Sequence, residues 1–336
     1  MLNGKRVLVT GGTGSLGKAV IRRLLTNEMG QVAKIVVFSR DEAKQHDMRL
    51  SYLEQQMATD EIIYRNVREI LSFQIGDIRD YSSVLEAMRG IDVIINAAAM
   101  KQVPTCEYFP FQAVQTNIIG PHNVIRAIRE NNMPIERVIG VSTDKACKPI
   151  NVMGMTKAIQ ERLFIEANID CQTRFVCVRY GNVIASRGSV VPLFLDQIVR
   201  GGPVTVTVKE MTRFLLSLDR AVDTVFAAIR SALPGETYIP WIPSARVDDL
   251  AMVLINGRDI PVTYTGIRPG EKIHEILISE EECHRTIERD GYYVICPILP
   301  ELRSMPTNQF LSREYSSADA LLDYAGLREL LRGVLE

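Results

Sequence analysis

Residues 5–17 constrain the fold more than any other part of the chain. A short apolar, β-branched run over 5–10 leads directly into Gly11-Gly12-Thr13-Gly14-Ser15-Leu16-Gly17. Val20, Ile21, Leu24 and Leu25 then recur at helical spacing on one face, and residues 34–38 read as a second buried strand. Strand, glycine loop, helix and strand within about forty residues make a βαβ unit with a right-handed crossover. Gly11, Gly14 and Gly17 follow the pattern G-x-x-G-x-x-G. That pattern allows a tight turn, lets backbone approach a pyrophosphate and aims a helix N-terminus at its charge. Gly11, Thr13, Gly14, Ser15, Leu16 and Gly17 are therefore the expected cradle of a dinucleotide.

The alternation continues downstream. Strands are expected at 71–75, 92–96, 137–142 and 174–180, with helices near 43–56, 81–88, 111–131 and 151–167. The fold class is α/β, a Rossmann-like doubly wound parallel sheet. After Tyr180 the rhythm changes, because Gly181, Gly188, Gly201, Gly202 and Pro203 interrupt short segments and 260–271 is rich in Pro and Gly. A helix at 219–232 and a strand at 236–239 are suited to rejoin the sheet. At 336 residues the chain suits a large domain carrying a smaller one. The expected division is a dinucleotide-binding domain over 1–180, rejoined by about 212–240. Residues 181–211 and 241–336 would form a smaller, discontinuous α/β substrate-binding domain with a C-terminal segment. Polar residues 312–319 read as a mobile connection before a last helix at 321–331.

A formal net charge of −1 gives no electrostatic reason to expect nucleic acid or an anionic membrane as partner. The six cysteines form no CxxC pair and no zinc spacing, so reduced thiols are expected. The apolar stretch before the glycines is far too short for a signal-peptide core or a membrane span, which points to the cytoplasm. His274 beside Glu275 invites a metal reading, but a lone histidine on a helix face is usually structural, and no metal is expected.

The end of the second strand selects the cofactor. An NAD site needs a carboxylate there for the ribose hydroxyls, whereas an NADP site needs a cation for the 2′-phosphate. This chain reads Phe38-Ser39-Arg40-Asp41-Glu42, with Ser39 where the acid is often found and Arg40 able to stack on adenine and pair with phosphate. The expectation is NADP, with Asp41 capping the next helix. Asp77 and Ile78 follow the third strand and can hydrogen-bond and cover adenine. Ala97, Ala98 and Ala99 follow the fourth and leave room for a dinucleotide against backbone.

A further stretch, 141–157, places Asp144 and Lys145 after the fifth strand and Lys157 on the next helix. In an open α/β sheet ligands lie outside the carboxyl ends of the strands, so reacting groups are expected here. Adjacent strand residues point to opposite faces. For Asp144 and Lys145 to reach one ligand, the backbone must have left strand geometry at Thr143.

With these pieces placed, the chain resembles the extended short-chain dehydrogenases/reductases. More narrowly it resembles the UDP-N-acetylglucosamine 4,6-dehydratases of surface-polysaccharide and flagellin-sugar pathways. The resemblance rests on TGGTGSLG (10–17), FSRDE (38–42), GDIRD (76–80), NAAAMKQVP (96–104), TNIIG (116–120), STDKACKPINVMG (142–154), RYGNVIASRGSVVPLF (179–194), MTRF (211–214) and RPGEK (268–272). It implies tightly bound NADP, regenerated each turnover, and UDP-N-acetylglucosamine as substrate. Oxidation at C4 would acidify the C5 proton, water would leave across C5 and C6, and C6 would then be reduced. It further implies Asp144 as the acid at O6, Lys145 as the base at C5, Thr143 holding the 4-hydroxyl and Lys157 on the nicotinamide ribose. A lysine acting as a base near neutrality must lose about 3 pKa units, and Lys157 with the oxidised nicotinamide is expected to push Lys145 that way. Tyr180, Asn182 and Val183 would lie at nicotinamide or hexose height. Lys101, Asn182, Arg187, Val191, Arg213, Arg268 and Glu271 would meet the substrate, the arginines suiting a diphosphate and the glutamate ribose hydroxyls.

One departure stands out. The wider superfamily uses Tyr-x-x-x-Lys, whereas this chain has Met153 four residues before Lys157. Methionine cannot exchange a proton, yet Met-x-x-x-Lys occurs in active dehydratases of this group. Which group takes the 4-hydroxyl proton is left open between a water and Asp144. C5 inversion is expected from the short chain, and the resemblance implies a homo-oligomer, dimer or hexamer. The alternatives are a C5-retaining dehydratase, a UDP-sugar 4-epimerase or ketoreductase, and a non-catalytic NADP-binding regulator.

Overall fold

A computed structural model of the chain describes residues 1–54, 61–184, 186, 188–302 and 311–335. Six strands follow in order: β1 Arg6–Thr10, β2 Lys34–Ser39, β3 Leu71–Ile75, β4 Val93–Asn96, β5 Arg137–Val141 and β6 Arg174–Val178. They are parallel and lie in the spatial order β3-β2-β1-β4-β5-β6. This is the doubly wound sheet expected from the sequence, and its order reverses beside β1.

Alternation along the strands explains why both faces are covered. Val7, Val9, Ile35, Val37, Ile95, Ile139 and Val176 face one way and pack on Val20, Ile21 and Leu24 of the helix Ser15–Leu25 and on Val222, Val225 and Phe226 of the helix Leu218–Ser231. Leu8, Val36, Phe38, Ile94, Val138, Phe175 and Cys177 face the other way, onto Val84, Val124, Ile125, Ile128 and Phe164 of three more helices. Strands buried on both faces read as nearly continuous apolar runs, as these do.

After β6 the remaining strands are β7 Asn182–Val183, β8 Val204–Val206, β9 Thr212–Leu216, β10 Thr237–Pro240, β11 Ser244–Arg246, β12 Val262–Tyr264, β13 Ile276–Ile278, β14 Thr286–Arg289, β15 Tyr292–Ile295 and β16 Tyr315–Ser316. β10 joins β6 in parallel, and the hairpin β14–β15 extends the sheet antiparallel from β10. Two strands from the 241–336 region thus belong to the large sheet. β9 instead pairs with β7 and β11 in a small sheet. That sheet and its helices enclose a separate core containing Val191, Phe194, Leu215, Leu250 and Leu254.

Three local expectations are corrected. The helix expected over 111–131 is divided into Pro110–Val114, a π-helical turn Gln115–Ile119 and Gly120–Asn131. The turn puts fully buried Asn117 where it bonds Met100 N and O and Thr156 Oγ1. Residues 312–319 are no loose connection. β16 pairs with β13, and Tyr315 Oη bonds both the amide and the carbonyl of Ile242. Residues 61–70, for which no helix was expected, form the helix Glu61–Ile70, while residues 55 and 56 of the expected helix 43–56 lie outside the described residues.

Candidate active site

The glycine loop is tight. Gly11 has φ +65°, and a Cβ on it would lie 2.8 Å from Ala98 N, while a Cβ on Gly17 would lie 2.6 Å from Gly12 Cα. The helix Ser15–Leu25 begins at Gly14 with no side-chain cap and no acidic residue in its first turn. A helix start of this kind, with backbone pressed close to the loop after β4, suits an anionic pyrophosphate. Thr13 is buried, and Ser15 and Leu16 are half-buried. Ala98 N donates to Thr10 Oγ1, and the alanines grade outward from half-buried Ala97 and Ala98 to exposed Ala99.

At the end of β2, Ser39 Oγ accepts a hydrogen bond from Gln45 Nε2 at 3.1 Å. Arg40 is largely exposed, 3.9 Å from Asp77 Oδ2, and Asp77 is gripped more closely by Arg79 at 2.6 Å. Burial would raise the Asp77 carboxyl, but the hydrogen bonds from Arg79 outweigh it and hold it below the usual carboxylate range. Asp41 Oδ1 accepts from Lys44 N, a capping geometry. Ile78 is buried against the second face of the sheet.

Beyond β5 the chain makes the turn on which Asp144 and Lys145 depend, one residue later than expected. Thr143 is still extended (φ −152°, ψ 156°), and Asp144–Ala146 form a 3-10 turn. Asp144 N donates to Tyr180 O, so the ladder persists to this point. The turn seats against the next helix, where a Cβ on Gly154 would lie 2.1 Å from Lys145 O.

The three side chains meet at one oxygen. Thr143 Oγ1 donates to Asp144 Oδ1 at 2.8 Å, and Lys145 Nζ donates to the same oxygen at 3.0 Å. Asp144 is fully buried, and its Oδ2 has no hydrogen-bond partner. Burial pushes the Asp144 carboxyl up against the pull of Lys145. Burial alone would pull Lys145 down, but the Asp144 and Glu275 carboxylates outweigh it and hold the lysine above its ordinary value. Lys157, also buried, is pulled down to about 8 by desolvation. Its Nζ donates to Gln160 Oε1 at 2.6 Å. The charge of Arg213 opposes the Asp144 and Glu275 carboxylates at Lys145.

Met153 is buried with Cys106 and Ala113, beside Met100, Val103 and Val152. The position is apolar packing. Tyr180 lies in the main core, and burial raises its hydroxyl far above the ordinary value. Asn182 on β7 has a buried Oδ1 with no hydrogen-bond partner, and Val183 packs against the main core.

The other expected substrate contacts are placed unequally. Arg213 is buried, its NH1 donating to Thr212 O and Ile273 O. It belongs to the Lys145 cluster. Val191 is buried in the third core, so its side chain is committed to packing. Lys101 and Arg268 are exposed, and Glu271 Oε2 accepts from Thr207 Oγ1 at 3.4 Å. Arg187 lies outside the described residues. Sequence reasoning missed Glu275, which is 2% exposed and has Oε1 3.2 Å from Lys145 Nζ. Only its place after the RPGEK segment hinted at it.

Behind the turn, Ser142 Oγ donates to Glu161 Oε1 at 2.5 Å. Arg179 joins Glu161 to Glu282 at 2.6 and 2.8 Å. This buried network fixes the residue preceding Thr143. Among the described residues, no group of three or more His, Cys, Asp or Glu is placed to hold a metal ion, and no helix is long and apolar enough to cross a membrane.

Residues 7–297 match the family model described as polysaccharide biosynthesis protein. The chain is 43% identical over 303 residues to a Campylobacter jejuni protein named UDP-N-acetylglucosamine 4,6-dehydratase (inverting), covering 88% of this chain and 84% of that one. It is 42% identical over 297 residues to a Rickettsia akari protein named UDP-glucose 4-epimerase, covering 87% and 82%. The solved structure of Pen from Bacillus thuringiensis superimposes with a TM-score of 0.88 at 33% identity, covering 99% of this chain and 98% of that one.

Proposed function

The chain belongs to the polysaccharide biosynthesis protein family, nucleotide-sugar dehydratases and epimerases of the extended short-chain dehydrogenase/reductase type, and on that premise we propose that it is a 4,6-dehydratase acting on UDP-N-acetylglucosamine. The observation that carries the reading is the buried meeting of Thr143, Asp144 and Lys145 at one carboxylate oxygen. A 4-epimerase needs no base at C5 and would leave that pair idle.

NADP is the proposed cofactor. Support comes from the uncapped helix start at Gly14, the close backbone at Gly11 and Gly17, and Ser39 with exposed Arg40 where a carboxylate would favour NAD. Gly11 to Gly17 would hold the pyrophosphate, Arg40 the 2′-phosphate, Asp77 and Ile78 the adenine, and Lys157 the nicotinamide ribose. When bound, the cofactor supplies the oxidation at C4 and the later reduction at C6.

The chain's own residues move the protons. Thr143 orients the 4-hydroxyl and passes its proton to Asp144, whose burial suits it to the neutral acid. This reading gives the 4-hydroxyl proton an acceptor without Met153. With Asp144 protonated, Lys145 releases its ammonium proton to water and, as free amine, removes the C5 proton. Asp144 gives its proton to the departing 6-hydroxyl, which leaves as water. Lys145 keeps that proton, and water supplies one to C5 on the opposite face, which gives the inverted product. Protons balance, since water returns to C5 the proton it took from Lys145; the sugar loses one water and the protein ends as it began.

Residues 181–211 and much of 241–336 are the proposed substrate-holding part, with exposed Lys101 and Arg268 and half-buried Glu271 available to the nucleotide. A homo-oligomer is supported by exposed Tyr108, Phe111, Ile119, Met155 and Ile159 on helices beside the site and by exposed Phe109 between two of them. A cytoplasmic setting agrees with six cysteines that form no disulfide.

The relatives named UDP-glucose 4-epimerase favour a second reading, and mass separates the two. Protein incubated with UDP-N-acetylglucosamine and no added cofactor is expected to give a product lighter by one water. A product of unchanged mass contradicts the dehydratase.

A further inference from the structure

One buried carboxylate outside the 143–145 turn touches its chemistry. Glu275 Oε1 lies 3.2 Å from Lys145 Nζ, whose other carboxylate contact is Asp144 Oδ1 at 3.0 Å. Glu275 Oε2 is buried without a hydrogen-bond partner, and Lys272 Nζ is 3.8 Å away. The backbone is pinned, since Ser317 N donates to Glu275 O at 2.8 Å and Glu275 N donates to Ser317 Oγ at 2.9 Å. The turn after β16 that locks Glu275 thus reaches the lysine through it.

We propose that Glu275 is a positioning residue that holds Lys145 as an ammonium at rest and sets the pH at which this lysine can accept a proton. The inference rests on the reading of Lys145 as the C5 base. The charged groups acting on the lysine are Asp144 and Glu275 on one side and Arg213 on the other, with Lys272 opposing through Glu275. Once Asp144 has taken the 4-hydroxyl proton, Glu275 is the one carboxylate of this group still charged. How readily the base is freed then depends on the balance between Glu275 and Arg213. Burial would raise the Glu275 carboxyl, but Lys145, Arg213 and Lys272 hold it below its ordinary value, so it stays charged through that step.

A merely structural Glu275 would fill space and anchor β13 without setting the lysine's titration. The test is direct titration of full-length protein carrying 13Cε-labelled lysine, with the Lys145 signal assigned by its loss in Lys145→Arg. In Glu275→Gln the midpoint is expected to fall by about one pH unit or more, the size of effect an adjacent opposite charge exerts. The ascending limb of the pH–rate profile should move down with it. Glu275→Asp withdraws the charge by one methylene and should shift the midpoint part of the way, which supplies the test should Gln not fold. An unmoved midpoint in a folded variant overturns the proposal. A moved midpoint in a protein that does not dehydrate UDP-N-acetylglucosamine refutes the dehydratase and leaves the hold of Glu275 on Lys145 standing. An unmoved midpoint in an active dehydratase does the reverse.

Discussion

At Asp144 burial and neighbouring charge oppose each other, and burial wins. A carboxyl so placed can alternate between acceptor and donor within one turnover, which is the property the missing tyrosine would otherwise supply. Met153 is then a packing residue, and a volume-conserving change should be tolerated. Met153→Leu is expected to cost less than about 1.5 kcal/mol of stability and to leave the pH–rate profile unchanged. Denaturant unfolding and initial rates across pH check both, and a displaced profile would restore a proton-transfer role to this position. The absence of an acid–base group at 153 was legible in the sequence, as was the adjacency of Asp144 and Lys145. Glu275 was not, because it lies far along the chain from Lys145 and the packing of β13 on the Asp144–Ala146 turn brings it in. Val191 erred the other way: a residue inside a recognisable motif proved to be core, since a motif records which residues occur and not which way they point.

Among the elements, the glycine loop is the most demanding. Gly17→Ala would drive a methyl into the backbone of Gly11 and Gly12. The loop must shift, so purified Gly17→Ala should retain much less nicotinamide dinucleotide than wild type, measured by release and chromatography. Full retention would show that the close approach is not needed. Five of the first six strands were readable as buried apolar runs bounded by helices, and half-buried β3 at the sheet edge by its alternation of apolar and polar residues. The hairpin β14–β15 was not, since Thr286–Arg289 carries a glutamate and an arginine among its four residues and its place is decided by Arg289 pairing with Glu236. Sequence pattern also gave no sign that β9 would leave the large sheet for β7 and β11. That choice is tertiary.

Across the whole molecule, the buried Arg179 network ties the sheet, the helix Val152–Glu166 and the segment after β13 into one support for the turn at Asp144. Burial would raise Glu282, but the charge and hydrogen bonds of Arg179 hold it down at about 2. A carboxyl depressed on folding contributes stability above its unfolded value, lost as pH falls from about 4.5 through about 2. That contribution is on the order of 3 kcal/mol. Glu282→Gln should therefore show a flatter loss of stability across this window, read by denaturant unfolding at stepped pH. An acid limb as steep as that of wild type would remove Glu282 from the account. The central claim is that Lys145 and Asp144 remove water across C5 and C6. Proton NMR of the protein with UDP-N-acetylglucosamine in deuterium oxide, with no cofactor added, tests it most directly. The predicted result is a new C6 methyl signal with deuterium at C5, and the ring couplings of an inverted C5. A 4-epimer without a methyl group would contradict it.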